Sequence, residues 1–167
     1  MLIIIALTIL LVIYREKLQV LKTYGYPGIF LFSILANATI LIPIPGVVFT
    51  SAMGAVFNPF WVSIASGMGA AIGELSGYMA GFSGRGVVEN SERYKRVVAW
   101  MRKYGDITIL VLAFIPNPLF DLAGMIAGVL KMPFWKFMAY CVVGKILKMM
   151  MFAYAGEWII NLLDKVI

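Results

Sequence analysis

The chain has 167 residues, 62% of them hydrophobic and 13% charged, with a formal charge of +6 and a mean hydropathy of +0.94. A soluble domain typically holds roughly 45–50% apolar and about 25% charged residues, so this composition excludes an ordinary soluble domain, and the length leaves no room for a separate catalytic one. At about 20 apolar residues per crossing of a ~30 Å hydrocarbon layer, it accommodates roughly three or four spans.

Histidine is absent, which removes the usual general base and the commonest metal ligand. Cys141 is the only cysteine, so no internal disulfide forms. The basic residues sit between apolar runs and not in a stripe with aromatics, a pattern that serves membrane orientation better than nucleic-acid binding.

The apolar run from Met1 to Ile13 lacks a preceding basic region and a small-residue cleavage site, and predicts a retained N-terminal helix over residues 1–14. Tyr14–Tyr26, with Arg15, Lys17 and Lys22, reads as an interfacial connection. Pro27–Phe57 is apolar but broken at Pro43-Ile44-Pro45-Gly46. Pro59–Phe82 is a continuous, glycine-rich span. Ser83–Asp106 is basic, and within it Tyr94, Val97, Val98 and Met101 recur at helical spacing opposite a charged face, which predicts an amphipathic helix on a membrane surface. Ile107–Leu130 is apolar and broken at Pro116-Asn117-Pro118. Phe134–Ala155 is the last long span, and Glu157–Ile167 an amphipathic tail.

The arms Ile107–Ile115 and Leu119–Leu130 reach only about 14 and 18 Å at 1.5 Å per residue. Two prolines flanking one residue remove backbone donors and push the chain out of helix. Such a break is tolerated in hydrocarbon only where protein or a watery cavity shields it. It reads as a re-entrant hairpin or as one kinked crossing, and the basic flanks (Arg102 and Lys103, Lys131 and Lys136) favour the hairpin.

The same order of features occurs twice. Pro43-x-Pro45 precedes Asn58-Pro59-Phe60-Trp61 and a span ending Met79-Ala80-Gly81. Pro116-x-Pro118 precedes Met132-Pro133-Phe134-Trp135 and a span ending Tyr154-Ala155-Gly156. The expected architecture is therefore one all-α transmembrane domain over residues 1–167, with a first repeat (26–82), a basic linker (83–106) and a second repeat (107–156). If each hairpin returns to its own side, the repeats are inverted, as in many transporters. Arg85, Arg93, Lys95, Arg96, Arg102, Lys103, Lys131 and Lys136 place eight of the fourteen basic residues on one face, which is then cytoplasmic, with the C-terminus outside.

Glu74 lies inside the third apolar segment, and Lys145 and Lys148 inside the last. A carboxylate at such depth costs roughly 2.5–3.5 kcal/mol and calls for a partner. Aligning the repeats on Pro-Phe-Trp puts Glu74 at the position of Lys148. These residues form either a polar site for a headgroup or proton, or a structural ion pair between spans. Gly69, Gly73, Gly77 and Gly81 make a small-residue ridge for helix packing. Asn37, Asn117 and Asp121 sit near the breaks, the asparagines as caps and Asp121 as a second buried acid.

Enzymatic readings lack support: there is no nucleotide-binding G-x-x-x-x-G-K-[ST] loop and no Ser-His pair. An aspartyl protease built on Tyr104-Gly105-Asp106 with Asp121 fails because Asp106 falls in the basic linker. No catalytic residue, cofactor, metal, nucleotide or nucleic acid is expected.

The string Phe114-Ile115-Pro116-Asn117-Pro118-Leu119-Phe120-Asp121-Leu122-Ala123-Gly124, with Ala71-Ile72-Gly73-Glu74-Leu75, Pro133-Phe134-Trp135 and Gly144-Lys145, resembles the vacuole membrane protein branch of the DedA/VTT superfamily, over about residues 25–156. Bacterial DedA members carry an R-F-x-P-x-x-R pattern whose arginine positions hold Ala113 and Leu119 here, so an undecaprenyl-phosphate substrate is not carried over. The resemblance implies facing re-entrant hairpins and lipid movement between leaflets. In eukaryotic relatives this is energy-independent phospholipid scrambling in the endoplasmic reticulum, tied to autophagy and lipoprotein release. Without their long cytosolic extensions the chain looks like a minimal, prokaryotic version.

The first expectation is a scramblase or flippase whose partners are membrane phospholipids. Its pathway comprises Glu74, Asp121, Asn117, Lys145 and Lys148 with the breaks Pro43, Pro45, Pro116 and Pro118. The alternatives are a proton- or ion-coupled carrier of a small solute and a non-transporting membrane scaffold, with homo-oligomers left open. The location is the cell membrane of a prokaryote or the endoplasmic reticulum of a eukaryote.

Overall fold

The computed structural model describes residues 25–38, 46–84, 92–116, 119–163 and 165. The expected N-terminal helix over residues 1–14, and Pro43, Pro45, Asn117 and Pro118, lie outside the described residues. Every described element is a helix: α1 (Gly25–Ala38), α2 (Gly46–Gly54), α3 (Pro59–Gly73), α4 (Leu75–Phe82), α5 (Glu92–Tyr104), α6 (Ile107–Phe114), α7 (Leu119–Val129) and α8 (Phe134–Leu163).

Local chemistry sets these boundaries. The Asn58 side chain accepts hydrogen bonds from the backbone N–H groups of Phe60 and Trp61, at 3.1 and 3.4 Å, and Pro59 occupies the first turn of α3 where no donor is needed. The ladder then runs on through Glu74, whose N–H donates to the Ala70 carbonyl at 3.1 Å and whose carbonyl accepts from Tyr78 at 3.2 Å. Residues 59–82 are thus one rod of about 36 Å with an irregularity at Glu74. Helix α5 stops at Gly105, at φ +63, a left-handed cap that costs glycine least. Helix α6 stops at Ile115, which is extended (φ −73°, ψ 130°) because Pro116 follows it.

Two sequence expectations are corrected here. The predicted tail is not separate: α8 runs unbroken from Phe134 to Leu163, since nothing between Ala155 and Trp158 interrupts the backbone ladder. The apolar stripe of the linker helix does not lie on lipid. Val97 is fully buried, and Tyr94, Val98 and Met101 pack with it against the core formed by Ile109, Leu112, Phe120 and Phe137. Protein atoms, not acyl chains, cover that face.

Packing between the two sequence halves is reciprocal. In the first half α3 packs on α1, and in the second α8 packs on α6. Helix α2 then packs on α8, α7 packs on α4, and α3 crosses α8. The register that aligns Pro59 with Pro133 also aligns Gly54 with Gly128, and both glycines make the same kind of contact. A Cβ on Gly54 would collide with the Ala153 backbone, and one on Gly128 with the backbone of Tyr78 and Phe82.

The Gly69–Gly81 ridge changes partner midway. Gly69 and Gly73 face the α1 carbonyls of Phe30 and Ile34, whereas Gly77 and Gly81 face Asp121 and Met125 of α7. The switch falls at Glu74.

The bundle is apolar outside and partly polar within. Leu35, Met79, Trp135, Met151 and Trp158 are exposed, while Ser33, Thr50, Ser63, Ser66, Glu74, Lys145 and Lys148 are buried. Thr50, Ser63 and Ser66 donate to carbonyls one turn back, at 2.9, 2.5 and 2.7 Å, which satisfies them without water. Helix α8 is long and apolar enough to cross a membrane. Its buried face (Phe137, Cys141, Lys145, Lys148, Met149, Ala153) opposes an outward stripe of Val143, Leu147, Met151, Tyr154 and Trp158.

The glycine contacts yield a prediction. Gly81→Ala places a methyl group inside the Met125 backbone and should destabilise the protein by about 1–3 kcal/mol. Gly77→Ala, whose Cβ meets nothing nearer than 3.7 Å, should be neutral or gain up to about 1 kcal/mol of helix propensity. Thermal midpoints in detergent compare the two, and equal losses would refute close packing at Gly81.

Candidate functional site

The irregularity at Glu74 and the middle of α8 meet inside the bundle. Gly67 and Glu74 are two turns apart on one face of the rod. A Cβ on Gly67 would sit 2.6 Å from Ile146 Cα, so only glycine lets α3 and α8 approach this closely. On another face of α8, Gly144 meets the Leu110 carbonyl and Ala113 of α6, at 2.7 and 2.6 Å from a would-be Cβ. The close crossing at Gly67 and Ile146 carries Lys145 to Glu74.

Lys145 Nζ lies 2.5 Å from Glu74 Oε1. Both residues are almost sealed, at 2% and 4% exposure. The ammonium also donates to Asn37 Oδ1 at 3.3 Å, and the Phe120 ring lies 4.5 Å from it. Asn37 is in turn oriented by donation from Nδ2 to the Ser33 carbonyl at 2.9 Å. The lysine therefore meets a carboxylate, an amide oxygen and an aromatic face. Among the described residues, no buried side-chain polar atom lacks a hydrogen-bond partner.

Lys148, one turn along α8, is buried at 8% exposure. Among the described residues no carboxylate lies within ion-pair distance of it, although it interacts electrostatically with Glu74 and Lys145. The repeat alignment put Glu74 at the position of Lys148, but Lys145 makes the pair.

Asp121 is not the buried acid expected from the sequence. It is exposed in the first turn of α7, where the helix dipole favours an acid by about 0.3–1 kcal/mol, and it still acts electrostatically on Glu74. Pro116 is exposed at the end of α6.

Sequence reasoning passed over Phe120 and Gly67. The signals were available: an aromatic directly before Asp121, and a glycine two turns before the buried acid. Among the described residues, no group of three or more Cys, Asp or Glu side chains stands close enough to hold a metal ion.

Residues 44–158 match the VTT domain family. The chain belongs to that family. The match spans α2 to α8 and so contains Glu74, Phe120, Lys145 and Lys148. The VTT-domain chain is 35% identical over 98 residues to vacuole membrane protein KMS2 of Arabidopsis thaliana, covering 47% of this chain and 24% of that protein. It is 36% identical over 107 residues to human vacuole membrane protein 1, covering 50% of this chain and 26% of that protein. It is 28% identical over 153 residues to the uncharacterized membrane protein YbfM of Bacillus subtilis, covering 83% of this chain and 93% of that protein. The aligned part thus spans about a quarter of the eukaryotic vacuole membrane proteins and nearly all of the bacterial one. No solved structure matches the chain. Together with the apolar exterior, these relatives make it a membrane protein, in keeping with the DedA/VTT resemblance.

Lys145→Met strands the Glu74 carboxylate in the core, so it should cost about 3–5 kcal/mol. The double variant Glu74→Gln/Lys145→Met should recover a large part of that loss. Denaturation in mixed micelles measures the cycle, and additive losses would show that the pair is not coupled.

Proposed function

We propose that this VTT-domain protein is a non-enzymatic phospholipid scramblase, moving lipids between leaflets downhill and without nucleotide. The observation that carries this reading is the charged cluster of Glu74, Lys145 and Lys148 enclosed by a bundle with an apolar exterior. Spontaneous flipping is slow because a polar headgroup must leave water, and burying unpaired charge is very costly. Groups of both signs at mid-depth lower that barrier by offering the headgroup partners along the way. Asp121, exposed in the first turn of α7, adds a second carboxylate that acts electrostatically on Glu74.

The path proposed runs between two re-entrant hairpins, α1–α2 and α6–α7, related by an inverted repeat. Their helices are 14, 9, 8 and 11 residues long, and each falls short of a ~30 Å crossing. The reciprocal packing, in which each half's second arm leans on the other half's long helix, supports this arrangement. Pro43, Pro45, Asn117 and Pro118 belong to the hairpin tips in this reading. The source sets the compartment: the cell membrane in a prokaryote, the endoplasmic reticulum in a eukaryote.

The topology is tested by single cysteines at Ser83 and Lys131, both exposed, with the buried Cys141 as a silent background. A membrane-impermeant thiol reagent should label both from the same side. Labelling from opposite sides would make 107–130 a kinked crossing and remove the inverted repeat.

The activity is tested in proteoliposomes holding a fluorescent phospholipid, by the fraction that external dithionite bleaches. Wild-type protein should expose the inner-leaflet pool without nucleotide, with Glu74→Ala slower by about tenfold or more if the cluster supplies at least 1.4 kcal/mol to the barrier, and Asp121→Ala also slower. No gain over protein-free vesicles, with helical content intact, would reject the scramblase and favour a proton-coupled solute carrier using Glu74.

A further inference from the structure

Away from the charged cluster, a groove of about 410 Å³ lies between α5 and α6, lined by Trp100, Tyr104, Ile107, Val111, Leu112 and Ile115. It runs about 12 Å along α6, from Ile107 toward the proline break. The Thr108 hydroxyl in its lining already donates to the Trp100 carbonyl at 3.1 Å. The rest of the lining is apolar apart from the Tyr104 hydroxyl and the Trp100 indole N–H. It is also open: Tyr104, Ile107, Val111 and Ile115 are 56%, 57%, 41% and 44% exposed.

One end of the groove is basic. Arg102 and Lys103 close α5, and Lys103 Nζ stands 5.0 Å from the centre of the Tyr104 ring that lines the mouth. The nearby acid, Asp106, is already paired to Lys136 at 3.3 Å. Among the described residues no carboxylate pairs with Lys103, so one cation stands at the mouth of an apolar slot whose aromatic rim is of the kind found at headgroup level.

From this juxtaposition we infer that the α5–α6 groove binds one acyl chain of an anionic phospholipid, with its phosphate on Lys103. A slot with hydrocarbon walls and a cationic mouth matches a molecule with a hydrocarbon tail and an anionic head. An apolar peptide helix would leave that cation unused. The inference rests on the lipid reading above, and it assigns that reading a lipid class and a waiting position outside the charged cluster.

The experiment reconstitutes the full chain in vesicles containing phosphatidylglycerol or phosphatidylcholine with a photoactivatable diazirine on the acyl chain, and maps adducts by peptide mass spectrometry. Adducts should concentrate on 100–115, and phosphatidylglycerol should be favoured by roughly fivefold for each cation that holds the phosphate. Val111→Trp fills the slot and should lower those adducts about tenfold for both lipids. Lys103→Ala should bring the two lipids to parity while keeping the site. Val111→Phe, a milder filling, guards against misfolding, and helical content is checked by circular dichroism for each variant.

Adducts spread evenly over the lipid-facing helices would overturn the inference, as would adducts insensitive to Val111→Trp. No lipid adduct, with two copies joined by a disulfide through a cysteine placed at Val111, would assign the groove to a protein interface instead. Because this readout needs no transport, focused adducts without scrambling would reject the scramblase alone, and scrambling without focused adducts would reject only the groove.

Discussion

Burying a carboxylate and an ammonium in one bundle leaves little tolerance in geometry. Desolvation penalises each ion by several kcal/mol, and only close approach with further hydrogen bonds offsets that. Glu74 and Lys145 meet at 2.5 Å, and the surrounding structure maintains that distance. Gly67 brings α3 onto α8 beside Ile146, Gly144 brings α8 onto α6, and Gly73 brings the rod onto α1 near Asn37. Asn37 and Phe120 then occupy the remaining sides of the ammonium from α1 and α7. Four helices from both halves of the chain converge on one cation.

The same convergence explains why neither half is self-sufficient. The short helices cannot cross a bilayer or cover their own backbone at a break, and irregular backbone must be shielded from hydrocarbon. Here α2 leans on α8 and α7 leans on α4. Gly54 and Gly156 serve the first contact, Gly81 and Gly128 the second, in each case against backbone atoms. Tyr78 adds a lock to the second contact, its hydroxyl donating to the Met132 carbonyl at 2.7 Å while its ring stacks on Phe137 at 4.8 Å.

Two surfaces of different chemistry result. The charged cluster is sealed and fully hydrogen-bonded, as suits a place that must remain intact between events. The α5–α6 groove is open and largely apolar beside Lys103, as suits a place that exchanges its occupant with the membrane. The VTT match, over residues 44–158, spans both.

Much of this was legible in the sequence because it depends on local chemistry. Composition marked a membrane protein. Pro116 ended α6 where it stood, and the depth of Glu74, Lys145 and Lys148 in apolar runs marked the charged residues. Which lysine takes Glu74 was not legible. Lys145 and Lys148 lie within one turn of the same face, and a helix crossing angle chooses between them. Asp121 was misplaced for a related reason: sequence position near a break does not tell which side of a short helix faces out. The linker stripe of Tyr94, Val97, Val98 and Met101 reads identically whether lipid or protein covers it, because periodicity records an apolar face and not its partner. The sequence by itself determined the helical class, the end of α6 at Pro116 and the cost of the buried charges. The tertiary structure decided who meets whom, because that depends on helix approach distances set by glycines far apart in the chain.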